Sequence, residues 1–308
     1  MDKKDLLLIV NPNASKKKGK KKAHAVRELF LKRGRYAAIA YTYYKGHAAQ
    51  LAEKGCRYGY KNIIAVGGDG TVNEVLNGIV RSGKGSSVRM GIVPVGRGND
   101  FAWIAGIPVK PEAAVDLICS GEARPTDIGL CRGTGCEDGI YFFNGAGFGF
   151  EPQVNFQAAE YKHVNGMPSY VLAFLHILLH MPKPVRTTFL VDGEKDEVFT
   201  QQISVCNGRR MGSTFIMAPL AEIDDGYLDC VYTNFPIKTR LSLIRTVLSF
   251  FIKAQPKDTR HFTYRKARRV ELSFLDGTLD AHADGEELSR KGRQYDVSVV
   301  PSAIMLMR

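Results

Sequence analysis

The chain has 308 residues, of which 44% are hydrophobic and 24% charged, and its formal net charge is +12. This length predicts two domains with separate cores, and the composition is ordinary for a soluble globular protein. The six cysteines are scattered without a CxxC pair, which favours a reduced, cytoplasmic protein over a disulfide framework or a zinc site.

The first third of the chain alternates predicted strands with predicted helices. The strands are 5–10, 36–43, 63–66 and 90–93. After the first strand a helix carries Ala25, Val26, Leu29 and Phe30 on one face, and a second helix covers 46–58. This βαβαβαβ order predicts an open, doubly wound α/β domain whose ligand loops follow the carboxyl ends of the strands.

The loop after the third strand, Gly67-Gly68-Asp69-Gly70-Thr71, has the clearest chemical pattern. Glycines allow positive φ and let backbone N–H groups approach a ligand, and the start of the following helix favours phosphate. Asp69 would repel a phosphate unless a divalent cation stood between them. The loop therefore predicts a nucleotide–Mg²⁺ site, with a plain glycine turn capped by Asp or Thr as the alternative.

From about residue 126 short strand-like runs separated by turns predict a mostly antiparallel β domain. The runs are 141–143, 187–191, 202–206, 228–232, 270–275 and 295–300. Two helices, over about 168–181 and 237–253, interrupt this pattern. The second helix is expected to cover the sheet, with a membrane-facing role as the alternative.

The most apolar segment, 170–181, is too short to span a bilayer, and it contains His176 and His180. The i,i+4 spacing of these histidines suits a metal, but their apolar neighbours favour ordinary core or surface histidines. Residues 1–5 lead directly into a short apolar strand, so no N-terminal signal peptide is expected.

Several common catalytic motifs are absent from the sequence, namely the P-loop, HExxH, the GxSxG elbow and the protein-kinase set. The segment 145–149, GAGFG, lacks the spacing of a dinucleotide-binding fingerprint. Carboxylates concentrate at 224–229 and 284–287, where each group alone is explained by an Asp-Gly turn. The basic runs Lys16–Lys22 and Arg260–Arg269 suit nucleic acid, an anionic membrane or phosphorylated ligands, or are solvated faces.

Six short motifs occur in one order along the chain. They are Asn11-Pro12, Thr42 with Gly46-His47-Ala48, Gly67 to Glu74, Pro94-x-Gly96-x-x-Asn99-Asp100-Phe101-Ala102, Asp225-Gly226-x-Leu228-Asp229 and Asp284-Gly285-Glu286. This pattern resembles the diacylglycerol kinase catalytic-domain family, which also contains sphingosine kinases, ceramide kinases and bacterial soluble lipid kinases. The resemblance covers essentially the whole chain. The GGDGT loop alone is shared with NAD kinases, whereas the Asn99 to Ala102 and Asp284 to Glu286 motifs are more specific.

The resemblance implies an α/β ATP-binding domain of the NAD-kinase and diacylglycerol-kinase type over 1–125, to which 301–308 return. It implies a mostly antiparallel β-sandwich for the lipid over 126–300, with the active site in the cleft between the domains. The implied reaction is ATP- and Mg²⁺-dependent transfer of the γ-phosphate to the primary hydroxyl of diacylglycerol, giving phosphatidic acid. The alternatives are a kinase of sphingosine, ceramide or phosphatidylglycerol, then a NAD kinase, or a non-catalytic binding or regulatory protein of this fold.

Carried over position by position, the resemblance assigns roles to individual residues. The nucleotide is expected to contact Asn11, Pro12, Asn13, Ala14, Ser15, Thr42, Gly67, Gly68, Asp69, Gly70, Thr71, Asn73, Glu74, Gly96, Arg97 and Asn99. Asp225 is implied as the Mg²⁺ ligand, with the carbonyls of Glu222 and Tyr227 completing the site. Asp69 would join the metal through water, and Glu286 matches the catalytic base.

Two positions depart from the family pattern. Ser15 stands where glycine is usual, which removes a residue that readily adopts positive φ. Arg97 stands where threonine is usual, so a long cation replaces a hydroxyl beside the phosphate. We therefore expect nucleotide preference or affinity to differ from the family norm.

The expected partners are a lipid alcohol and an anionic membrane surface, with no nucleic acid. Each Lys or Arg near such a surface contributes about 1 kcal/mol of binding, so the basic runs would hold the protein peripherally at the membrane. Attraction of ATP phosphate by Lys16–Lys22 is the competing explanation. The expected location is cytoplasmic and peripherally membrane-associated, and a homodimer is left open.

Overall fold

The computed structural model describes residues 5–14, 19–96, 98–161, 167–180, 183–212, 215–233, 239–242, 244–245 and 262–308. The chain divides into a first unit, Met1–Ile128 with Val300–Arg308, and a second unit, Gly129–Val299. Most of the helix predicted over 237–253 lies outside the described residues.

The first unit is a parallel β-sheet with helices. Its elements are β1 (Leu6–Val10), α1 (Gly19–Lys32), β2 (Ala37–Tyr41), α2 (His47–Arg57), β3 (Asn62–Gly67), α3 (Asp69–Arg81), β4 (Arg89–Pro94), α4 (Asp100–Ile104) and α5 (Pro111–Ser120). The parallel strands lie in the order β2-β1-β3-β4. Because β1 pairs with both β2 and β3, the strand order reverses at β1, as in a doubly wound sheet. The loops after β1, β3 and β4 carry most of the predicted nucleotide contacts.

Burial in the first unit follows the sequence pattern with one exception. All residues of β1 and β3 are buried, as expected for central parallel strands. On α1, Val26 and Phe30 are buried and Leu29 is half-buried, but Ala25 is exposed, contrary to the prediction. Ala23 is buried instead, because positions 23, 26 and 30 follow the helical period and share one face.

The second unit is built mostly from antiparallel strands. Its elements are β5 (Ala123–Gly133, which begins in the first unit), β6 (Cys136–Phe142), β7 (Gly145–Gly149), α6 (Phe150–Glu160), α7 (Met167–Leu179), β8 (Val185–Val191), β9 (Glu194–Thr200), β10 (Gln202–Cys206), β11 (Arg210–Met211), β12 (Phe215–Ile216), β13 (Leu228–Thr233), β14 (Phe262–Ala267), β15 (Arg269–Phe274), β16 (Leu279–Ala283), β17 (Glu286–Gly292) and β18 (Gln294–Met307). One sheet has the order β14-β13-β10-β7-β16-β17, and a second contains β18-β15-β8-β9. Phe148 and Tyr232 from the first of these sheets share one core with Phe189, Phe274 and Tyr295 from the other, which makes a β-sandwich.

The helix α6 was not predicted from the sequence. Its buried residues Pro152, Val154, Phe156 and Ala158 alternate along the chain, so the pattern has the period of a strand rather than that of a helix. The glycine-rich segment just before it is the buried strand β7, in agreement with the rejection of a dinucleotide-binding loop there.

The last strand, β18, begins in the second unit and ends in the first. Met305 and Leu306 pair in parallel with Arg89 and Met90 of β4, so the end of the chain completes the first sheet. In the described parts of the chain, no helix has the length and apolar character needed to cross a bilayer.

Candidate active site

Asp69 joins two loops of the first unit that follow neighbouring strands. Its Oδ2 accepts a hydrogen bond from the backbone N–H of Asn99 at 2.8 Å, and its Oδ1 accepts one from Asp100 at 2.7 Å. Both donors stand at the start of α4, where backbone N–H groups have no partner within the helix. The Asp69 carboxylate therefore fixes the loop after β4 against the glycine loop after β3.

Two glycines allow these loops to approach each other. A Cβ atom on Gly96 would lie 2.4 Å from the Cα of Gly68, and one on Gly68 would lie 3.1 Å from the Cα of Gly96. The Asn99 side chain closes the turn, because its Oδ1 accepts from Gly96 N–H at 3.0 Å and its Nδ2 donates to the Gly96 carbonyl at 3.2 Å. Asn99 has φ 51°, the left-handed conformation that Asn tolerates better than most residues. The structure thus brings Gly68, Asp69, Gly96 and Asn99 together.

Glu74 positions a third loop of the first unit. Its two carboxylate oxygens accept from the backbone N–H groups of Gly46 and Ala48 at 2.8 and 3.0 Å, at the start of α2. A carboxylate is favoured at this end of a helix. Glu74 is therefore engaged with the protein backbone. Thr42 is buried, and its backbone N–H donates to the Val10 carbonyl at 2.9 Å.

The loop after β1 folds on its first residue. The Asn11 side chain accepts from Asn13 N–H at 2.9 Å, and the Asn11 carbonyl accepts from Ala14 N–H at 3.2 Å.

Thr71 and Asn73 are buried on α3, where Asn73 Oδ1 accepts from Asn77 at 3.1 Å. Three other predicted nucleotide contacts differ in burial: Gly67 is buried, Pro12 is half-buried and Gly70 is exposed. The two departures from the family pattern, Ser15 and Arg97, lie outside the described residues.

In the second unit Asp284 anchors the turn before Glu286. Its carboxylate accepts from the backbone N–H groups of Phe143, Asn144 and Gly145 at 2.8, 2.8 and 3.2 Å. Asp284 belongs to the last of the six sequence motifs, but the family resemblance assigned it no role. Glu286 follows at the start of β17 and is half-buried.

Asp225 lies in the turn before β13 and is paired with a lysine. Its Oδ1 accepts from Tyr227 N–H at 3.0 Å, and its Oδ2 forms an ion pair with Lys266. The hydrogen bond to Asp225 raises the pKa of Lys266 above its ordinary value. Glu222 is exposed, and the ring of Tyr227 lies 5.0 Å below the guanidinium of Arg268.

Asp229 belongs to the 225–229 motif but was assigned no role from the sequence, and it is the most deeply buried of the carboxylates Glu222, Asp225 and Asp229. It is 0% exposed. Burial raises its pKa, and the charges of Asp225 and Glu222 add to this effect, while the Tyr264 hydroxyl and the charge of Lys266 oppose it. Carboxylates gathered in this way, one of them buried, are compatible with a divalent cation.

The donor set limits how a metal could be held. Across the described ranges, no group of three or more His, Cys, Asp or Glu side chains could hold a metal ion by itself. Mg²⁺ commonly binds one or two protein carboxylates and completes its shell with water and phosphate oxygens. The residues around Asp225 therefore fit Mg²⁺ bound together with a phosphate ligand rather than a closed protein cage.

Two known families match the two parts of the chain. The Diacylglycerol kinase catalytic domain matches residues 5–131, and the YegS C-terminal NAD kinase beta sandwich-like domain matches residues 145–308. A protein named Probable lipid kinase YegS-like, from Pseudomonas aeruginosa PAO1, is 31% identical over 99% of this chain and 94% of its own. The chain belongs to this lipid kinase family.

Further relatives of this lipid kinase agree with the assignment. A protein named Diacylglycerol kinase from Bacillus subtilis 168 is 28% identical over 91% of this chain and 88% of its own. A crystal structure described as a diacylglycerol kinase from Bacillus anthracis Sterne has a TM-score of 0.71 at 18% identity, covering 100% of this chain and 97% of that chain. A second solved chain from that organism has a TM-score of 0.77 at 20% identity, covering 100% and 98%. These structures show that the fold is shared.

Proposed function

We propose that this lipid kinase transfers the γ-phosphate of ATP to the primary hydroxyl of diacylglycerol or a closely related lipid alcohol, giving phosphatidic acid or its counterpart. The observation that carries the proposal is the Asp69 carboxylate, which holds the glycine loop and the Asn99–Asp100 backbone together. Phosphoryl transfer depends mainly on positioning and charge neutralisation, and a rigid loop of backbone donors at a strand end supplies the positioning.

In this proposal the first unit binds the nucleotide through backbone groups. The N-terminus of α3, a helix of 13 residues, favours phosphate beside Gly68 and Gly70. Asp69 acts by aligning these two loops through its bonds to the backbone of Asn99 and Asp100. Asp225, with the carbonyls of Glu222 and Tyr227, would hold Mg²⁺, which when bound neutralises phosphate charge.

Glu286 is the proposed base. A carboxylate that accepts the hydroxyl proton late in the transfer contributes about 10²- to 10⁴-fold to the rate. Support comes from its place directly after the turn that Asp284 anchors to three backbone N–H groups. That anchoring limits the freedom of the backbone that carries the Glu286 carboxylate.

We also infer peripheral contact with an anionic membrane. The helix α7 exposes Val171, Leu172, Leu175 and Leu179 by 43–63%, and it contains no acidic residue. Contiguous exposed apolar side chains of this kind are typical of an interaction surface. The lysines and arginines of the basic runs would add electrostatic attraction to anionic lipid.

NAD phosphorylation is the second candidate, because the family matched by residues 145–308 is described as NAD kinase beta sandwich-like. The deciding experiment incubates the full chain with radiolabelled ATP and Mg²⁺ and, in separate reactions, diacylglycerol, sphingosine, ceramide, phosphatidylglycerol or NAD. We expect label in phosphatidic acid, and loss of that label on removal of Mg²⁺. Label in NADP alone would overturn the lipid assignment, and label in another lipid would change the substrate.

The same assay tests the proposed base. Glu286→Gln removes the proton-accepting carboxylate with almost no change in shape, so we expect binding of ATP to persist while turnover is lost. Wild-type turnover in this variant would remove Glu286 from its role. Binding of a fluorescent ATP analogue gives the second readout.

A further inference from the structure

The second unit contains a buried, hydrogen-bonded histidine–carboxylate pair that the proposed reaction does not use directly. His282, on β16, is 2% exposed, and its Nε2 lies 2.7 Å from both carboxylate oxygens of Glu151. Glu151 stands in the first turn of α6, where the helix dipole favours a negative charge. Its backbone N–H also donates to the Gln202 side chain at 2.7 Å, which fixes this end of the helix.

The second ring nitrogen of His282, Nδ1, binds the turn at 284–285, directly before the proposed base Glu286. Nδ1 accepts from the backbone N–H of Gly285 at 3.0 Å. Because Nδ1 acts as an acceptor, the proton of the neutral ring resides on Nε2 and points at Glu151. Glu151 therefore selects the ring tautomer that offers an acceptor to Gly285.

The sheet makes room for this pair with a glycine. Gly147 of β7 lies opposite His282 in the antiparallel register. A Cβ atom at this position would lie 2.1 Å from Glu151 Oε2 and 2.8 Å from His282 Nε2. Gly147, the middle glycine of the 145–149 segment, is therefore required because a side chain there would collide with the Glu151–His282 pair, and not because the segment binds a nucleotide.

The Gly285 carbonyl is held from the opposite side. It accepts from Asn155 Nδ2 of α6 at 3.0 Å, and Asn155 Oδ1 accepts from the Tyr170 hydroxyl at 3.2 Å. Gly285 has φ 83°, a conformation that glycine adopts without strain. Both polar backbone groups of the residue immediately before Glu286 are therefore fixed by side chains.

We propose that Glu151 and His282 are positioning residues for phosphoryl transfer, because together they hold the Gly285 backbone from which the Glu286 carboxylate projects. The proposal rests on the role assigned to Glu286 in the proposed function. Neither residue needs to touch the lipid or the nucleotide. Their effect is on the placement of the base, where an error of about 1 Å costs on the order of 100-fold in rate.

Two substitutions of His282 separate its two hydrogen bonds. In His282→Asn the side-chain oxygen takes the approximate place of Nδ1 and still accepts from Gly285. In His282→Gln the amide reaches towards Glu151, but Gly285 N–H is left without its acceptor. We expect the Gln variant to lose about 10- to 100-fold in kcat for diacylglycerol, with KM for ATP within twofold of wild type. The Asn variant is expected to retain most of kcat.

Glu151 offers a second, nearly isosteric test. Glu151→Gln keeps an acceptor for Nε2–H and should retain most of kcat, whereas Glu151→Ala frees the ring to turn its proton towards Gly285 and should lose it. The exposed His24, replaced by Gln, is the matched control and should not alter kcat. Thermal unfolding of every variant shows whether loss of kcat reflects loss of fold.

The outcomes distinguish this proposal from the proposed function. If Glu286→Gln is inactive but both His282 variants keep the wild-type kcat, the positioning role is overturned while the assignment of the base stands. Equal loss in His282→Asn and His282→Gln, or a change confined to KM for ATP, would also overturn it. Wild-type turnover in Glu286→Gln would overturn the assignment of the base itself.

Discussion

At the scale of single residues, three carboxylates of the sequence motifs bind backbone N–H groups of the protein. Asp69, Glu74 and Asp284 each accept two or three backbone N–H bonds from loops distant in sequence. Charge-assisted bonds of this kind are stronger than neutral ones. Asp69 and Glu74, which the family resemblance assigned to nucleotide contact, therefore also fix loops of the protein, as does Asp284, to which no role was assigned.

Asp69→Ala is expected to lose both activity and stability. The substitution leaves the N–H groups of Asn99 and Asp100 without acceptors, which costs about 1–3 kcal/mol per unsatisfied group when the site is buried. The control is Glu53→Ala, which removes only an exposed pair with Arg57 on α2 and should change the free energy of unfolding by about 0.5 kcal/mol or less. Urea denaturation and the kinase assay give the two readouts. Wild-type stability in Asp69→Ala would show that the loops do not depend on this carboxylate.

Asp229→Asn is expected to stabilise the protein in a pH-dependent way. The pKa of Asp229 is raised above 3.8, so the folded chain holds a proton that the unfolded chain releases. The wild-type free energy of unfolding therefore falls as pH rises from about 4 through the folded-state pKa. The difference in Tm between Asp229→Asn and wild type should be small at low pH and grow towards neutrality. A difference independent of pH would contradict this, and exposed Asp138→Asn is the matched control.

At the scale of elements, the helix α7 has two different sides. Tyr170 reaches towards the Gly285 turn through Asn155, whereas Leu172, Leu175 and Leu179 follow a helical stripe on the exposed side. Such spacing presents one continuous apolar face. The element that would meet a lipid surface is therefore linked, through Asn155 of α6, to the turn that precedes the proposed base.

Leu175→Glu is expected to weaken membrane binding without loss of fold. It places a carboxylate in the apolar stripe, which repels anionic lipid and opposes insertion. Sedimentation with phosphatidylglycerol vesicles at increasing salt measures the effect. Val109→Glu changes a similarly exposed apolar residue in the first unit and should bind vesicles as wild type does. Equal binding of Leu175→Glu and wild type would exclude α7 from the membrane surface.

The sequence patterns predicted elements more accurately than they predicted partners. The runs 187–191 and 202–206 are strands as predicted, because alternating or continuous apolar residues report burial directly. The helix α6 was missed because its buried residues alternate. The pairing of Asp69 with Asn99, and of Glu151 with His282, is set by tertiary structure and leaves no local signal. The motif order supplied candidate site residues, but it did not indicate which backbone groups Asp69, Glu74 and Asp284 bind within the protein.

At the scale of the whole molecule, strand β18 adds its last residues to the sheet of the first unit, where Met305 and Leu306 pair with β4. Leu306 is 0% exposed, while Met305 on the same strand is half-buried. Leu306→Ala should therefore cost about 2–5 kcal/mol of unfolding free energy, and Met305→Ala distinctly less. Thermal and urea unfolding measure both. A loss in Leu306→Ala as small as that in Met305→Ala would mean that the end of β18 contributes little to the first sheet.

The pairing of β18 with β4 has a consequence during synthesis. Arg89 and Met90 leave the ribosome long before Met305 and Leu306, their partners in the sheet. Until Met305 and Leu306 have been synthesised, this edge of β4 has no neighbouring strand, and an open edge can pair with other chains. The nascent first unit therefore lacks one strand of its sheet while the second unit is being made. A ribosome that stalls within the second unit leaves that sheet incomplete and prone to aggregation.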